Sequence, residues 1–163
     1  MKHCPIIFAL LISIAISSNG LAASNPELLL LFDKNRDSVE LEVENQAAHG
    51  CFLNPYEMKA IAREQLEQMG FRIAPSSPFV LSLVSWGVAS DEHHCAVVLE
   101  SGFSKYAVNV QLNEERTIST ELSLWQTLDM LTGPNMRLQE RVCEKLMQQL
   151  YGFDQAVSGT SQQ

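Results

Sequence analysis

Three cysteines lie beyond the apolar N-terminal run, Cys51, Cys95 and Cys143, and they are the side chains best suited to chemistry. In an oxidising compartment two of three thiols should pair and leave one over. Cys95 shares strand parity with Val97 and Leu99, while Glu100 points the other way, so its thiol should face the core. Cys51 stands three residues before a helix N-cap at Asn54, and Cys143 sits at the edge of a helical stripe; either could reach Cys95. The favoured pair is Cys51 with Cys95, a loop of 44 residues (95 − 51) worth about 4 kcal/mol in the chain-entropy description. No C-x-x-C occurs, which argues against thiol-redox exchange.

The same region offers a metal reading. His49, Cys51, His94 and Cys95 carry soft and borderline donors that suit zinc or copper. Their spacing matches no standard zinc module, and a disulfide would consume both sulfurs, so this stands as the alternative. Asp33, Asn35 and Asp37 resemble the opening ligands of a calcium loop, but Ser38 replaces the needed glycine and a strand pattern follows. A polar turn is the expectation there. Asp91, Glu92, His93 and His94 form the one compact acid–base set, with nothing to mark a nucleophile. G-x-S-x-G, H-E-x-x-H and glycine-rich phosphate loops are all missing, so no catalytic residue and no cofactor is assigned.

These residues must be positioned by a helix over 53–71. Asn54 suits the N-cap, Pro55 the first turn, and Glu57 the reciprocal half of a capping box. Gly70 followed by Phe71, reaching back to Leu66, reads as a Schellman stop. Met58, Ile61, Ala62, Gln65, Leu66 and Met69 fall on one side. A second helix is expected over 135–151, after Gly133-Pro134, with Leu138, Val142, Leu146 and Leu150 as its buried stripe.

Between and around the helices the pattern has period two. Val39, Leu41 and Val43 alternate with Glu40, Glu42 and Glu44; further strands are expected over 79–90, 95–100, 105–112 and 117–124. The order β-α-β-β-β-β-α predicts an α+β two-layer sandwich, a mostly antiparallel sheet of four or five strands with two helices on one face. If the helices cover Val39, Leu41, Val43, Cys95, Val97, Leu99, Tyr106, Val108 and Val110, the other face holds Val80, Val84, Trp86, Val88, Val98, Ala107 and Trp125. That face is too apolar for a solvated one. It marks a partner-binding surface at Val84, Trp86, Val88, Val98 and Trp125, unless residues 28–32 cover it or a bulge that switches parity turns these residues inward.

The frame for all this is an exported chain. Lys2 and His3 precede apolar residues 5–16, and Leu21-Ala22-Ala23 offers a small-residue cleavage site. The divisions are therefore a signal peptide at 1–23, one domain at 24–153 and a flexible tail at 154–163. Cys4 precedes the apolar run, so a lipoprotein is not expected, nor is a stable membrane span after cleavage. Loss of Lys2 takes the net charge from −8 to −9, a poor match for nucleic acid. The chain reads as a periplasmic binding or accessory domain with a protein partner in the cell envelope.

Overall fold

A computed structural model describes residues 21–24, 26–47, 51, 53–89, 91, 93–113 and 116–160. Five strands form one sheet: β1 (Leu21–Ser24), β2 (Glu40–Ala47), β3 (Phe79–Ala89), β4 (His94–Asn113) and β5 (Arg116–Pro134), in the order β1-β5-β4-β3-β2. All neighbours are antiparallel except β2 and β3, which run parallel and are joined by the crossover helix α2 (Pro55–Gln68). Helix α3 (Asn135–Thr160) lies beside α2, and both bury their stripes on one side of the sheet. The chain is thus an α+β two-layer sandwich. Among the described residues no helix is long and apolar enough to cross a membrane.

Helix α2 begins and ends where its residues dictate. The Asn54 side chain accepts from the Tyr56 and Glu57 amides, and Gly70, at φ 90°, lets the Phe71 amide close back on the Leu66 carbonyl at 2.9 Å. The capping box does not close: the Asn54 amide instead donates to Gln139 Oε1 of α3 at 2.9 Å. Met58, Ala62 and Leu66 are fully buried.

Helix α3 outruns its expected end. Phe153 and Val157 extend the stripe of Leu138, Val142, Leu146 and Leu150 and are as deeply buried. Asp154 holds the Lys34 ammonium at 2.5 Å, and Lys34 lies over the Phe71 ring. The tail expected from residue 154 is therefore helix as far as Thr160. At the other terminus, the sheet takes in Leu21–Ala23, which the sequence assigned to the signal.

The strands are longer than the punctuation suggests. Ser101 and Gly102 do not divide β4, because Ser101 turns inward to bond Gln149 and Gly102 stays paired with Ser82. Pairing with β3 ends at Lys105, so residues 105–113 of β4 and 116–122 of β5 run on as a two-stranded arm. Tyr106, Val108 and Val110, expected beneath the helices, lie on this arm instead, with Tyr106 and Val110 exposed. A register shift with Ala107 at φ 55° separates the arm from the body. Residues 28–32 fold as the end of the short α1 (Pro26–Leu29) and a turn. Leu29 and Phe32 enter the helix-covered core, where Phe32 meets Phe71, Phe79 and Phe103 with ring centroids 5.0–6.0 Å apart.

The far end of the core is closed by a Cys51–Cys95 disulfide with Cα atoms 5.7 Å apart. Gly87 lies beneath it. A β-carbon there would sit 3.1 Å from Val97 Cγ2, 3.2 Å from Ala47 Cβ and 3.3 Å from Cys51 Cβ. Gly87→Ala is expected to cost about 1–2 kcal/mol in denaturant unfolding, and Cys51→Ala with Cys95→Ala about 2–4 kcal/mol. Combined, they should cost less than the sum, because an untethered Cys51 segment can move off the new methyl group. Strict additivity would contradict this coupling.

Candidate functional site

Among the described residues, the sheet face turned away from the helices carries the side chains with no internal partner layer. Strand pairing aligns them in rows: Gln46–Trp86–Val98–Met130, then Glu44–Val84–Glu100–Leu128, with Val88–Ala96–Thr132 on one side and Glu42–Ser82–Gly102–Gln126 on the other. Trp86, Val84 and Val98 are half-buried, and Val88 and Met130 are 61% and 63% exposed. The Trp86 indole N–H donates to Gln46 Oε1 at 2.7 Å, which fixes the ring across β2 and β3. Residues 28–32 do not cover this face, since Leu29 and Phe32 are committed to the opposite one.

Four of the five residues expected here, Val84, Trp86, Val88 and Val98, are brought together. Trp125 is not. Phe103 pairs with Trp125 but Ser104 with Ser123, so Leu124 is an extra residue and a β-bulge reverses parity. Trp125 points inward, 4% exposed, against Phe153. Leu128 and Met130 complete the face and were missed, because the period-two reading of β5 stopped at residue 124.

Beside the apolar rows lies a cleft of about 210 Å³ lined by Ser82, Glu100, Gly102, Ser104, Glu121 and Gln126, among others. Gln126 Nε2 donates to Glu100 Oε1 at 2.5 Å and sets its rotamer. Tyr106 stands close by. Its phenol is pushed above the ordinary value of 10.0 first by burial, then by the charges of Glu121 and Glu42.

Other chemistry-bearing groups are internally satisfied. The disulfide joins the two sulfurs of the metal alternative, so the set of His49, Cys51, His94 and Cys95 does not form; His49 lies outside the described residues. His94 Nδ1 meets Asp91 Oδ1 at 3.0 Å, and the same carboxylate accepts the His93 and His94 amides, which hold its pKa below 3.8. This is a capped turn. Glu92 lies outside the described residues. Asp33 and Asp37 likewise accept amides of their own turn. The Cys143 thiol is buried and raised, by desolvation and then by Glu57, which makes it a poor nucleophile.

One buried polar cluster was not anticipated. Ser101 donates to Gln149 Oε1 at 2.6 Å, and Gln149 Nε2 donates to Asp129 Oδ2 at 2.8 Å and to the Leu99 carbonyl at 3.3 Å. Lys145 meets Asp129 Oδ1 at 3.0 Å. Every oxygen of Asp129 is thereby engaged, and the cluster fastens α3 across β4 and β5. The inward parity of Asp129 follows from the same unrecognised extension of β5.

No protein-family model matches the sequence, and no curated protein sequence does either. Among solved structures, 19 chains match. A PelC dodecamer from Paraburkholderia phytofirmans is 15% identical, with 80% of this chain and 94% of that chain covered and a TM-score of 0.47. A point variant of that dodecamer gives 16%, 80%, 92% and 0.47.

The Tyr106 environment makes a pH prediction. A raised folded pKa means that the stability it contributes is complete below pH 10.0 and is lost as pH rises through the folded value. Ultraviolet titration should show a tyrosine ionising above the ordinary range, and Glu121→Gln should bring that midpoint partway back. An unmoved midpoint would place Glu121 away from the phenol.

Proposed function

We propose that this chain is an exported, periplasmic domain that works by binding a protein partner in the cell envelope, through the outer sheet face centred on Trp86. The observation that carries the reading is that face itself: contiguous apolar side chains from β3, β4 and β5, ringed by glutamates and glutamines, with neither helix over them. Water-exposed apolar patches of this kind mark contact surfaces, and a tryptophan near the centre is the usual energetic anchor. Export is supported by the apolar run ahead of Leu21-Ala22-Ala23 and by the Cys51–Cys95 bond, which persists in oxidising compartments. The satisfied state of Asp91, Asp129 and the cysteines supports binding over catalysis.

Trp86→Ser and Met130→Ser should each weaken recovery of the partner from envelope extracts, Trp86→Ser by about 2 kcal/mol or more. Both should keep the wild-type circular dichroism and unfolding midpoint within a few degrees. Undiminished capture by both variants contradicts the reading, and collapse of the Trp86→Ser fold would make Trp86 a core residue.

A further inference from the structure

Resting on that reading of the outer face, we infer that the captured segment carries a lysine or arginine, seated in the cleft between Glu100 and Glu121 while its apolar neighbours cover Trp86 and Val84. The charges and the apolar side chains are interleaved and cannot be used separately. Val84 stands in one row between Glu44 and Glu100, and Glu42 heads the adjoining row of Ser82. Whatever covers the apolar stripe must take these carboxylates out of water, and an uncharged partner would pay their desolvation without return.

Among the described residues the chain supplies no compensating cation here. None of the positions paired in these rows is a lysine or arginine, and among the described residues Glu42, Glu44, Glu100 and Glu121 enter no salt bridge. The cleft is shaped for one. Its 210 Å³ suits a single long cationic head. Gly102 gives it a floor of bare backbone, where a β-carbon would press to 3.1 Å from Ser82 Oγ. Glu100 is already oriented by Gln126, and the hydroxyls of Ser82, Ser104 and Ser123 line the same opening, ready to accept the remaining N–H donors. The occupant is therefore an extended polypeptide segment whose basic and apolar residues stand two positions apart, so that both fall on the one strand face that meets the sheet.

Three synthetic peptides with threonine at every second position, titrated into isotope-labelled protein, test this: one with lysine and valine alternating at the positions between, one with glutamate and valine there, one with lysine and serine there. The lysine–valine peptide should bind, shift both the Gly102 amide and the Trp86 indole resonances, and weaken as salt is raised. Its affinity should fall about tenfold in the Glu100→Gln/Glu121→Gln variant and stay unchanged in Glu64→Gln/Glu67→Gln on α2. Gly102→Val, which fills the floor without altering charge, should also weaken it. Equal binding of the glutamate–valine peptide, or of the lysine–valine peptide by the Glu100→Gln/Glu121→Gln variant, overturns the inference. If Trp86→Ser alone abolishes binding, the face stands and the cationic seat falls. If lysine–serine binds as well as lysine–valine and Trp86→Ser has no effect, the seat and face do not act together and the proposal fails.

Discussion

Alternation of side chains across a single sheet, with helices available for only one of its faces, governs this molecule. The odd positions of β3 from Leu81 to Gly87 and of β4 from Cys95 to Leu99 fall on the side that α2 and α3 cover, and those residues are buried. The even positions face away. In most two-layer proteins that second face would be polar from edge to edge. Here it is polar only on β2 and around the cleft, and apolar through Val84, Trp86, Val88, Val98 and Met130. Among the described residues the fold therefore leaves this apolar surface uncovered.

Holding the covered side shut takes three different interactions along the sheet. A disulfide over Gly87 ties the entry of α2 to β4 at one end. Rings of Phe32, Phe71, Phe79, Phe103, Trp125 and Phe153 fill the other, with the Trp125 and Phe153 centroids 5.3 Å apart. Between them, Gln149 bridges Ser101 and Asp129 so that α3 is placed by directional bonds as well as by its stripe. Because these clamps lie on one face, side chains on the other can be exchanged with little expected effect on folding. That separation is what a binding surface requires.

Much of this was legible in the residues. Asn54, Gly70 and Phe71 specify α2 through local bonds that need no tertiary context, and strand parity placed Cys95 where Cys51 could reach it. The pattern failed where one extra residue changed the phase. Leu124 bulges, so Trp125 turns inward and the strand beyond it no longer continues the alternation read up to residue 124. Ser101 and Gly102 read as a break because their partners, Gln149 and Ser82, are distant in sequence. Likewise Phe153 and Val157 follow the spacing of four only loosely, and the length of α3 is set by the core they enter.

On the function proposed, the outward face of β3, β4 and β5 is the working surface of the molecule. Site-specific photo-crosslinking in cells tests that most directly, with the reactive side chain placed in turn at Met130 on this face and at Met147 on the exposed side of α3. A discrete adduct from Met130, with none from Met147, is the predicted result. An adduct from Met147 with none from Met130 would contradict the account and move the working surface to the helices.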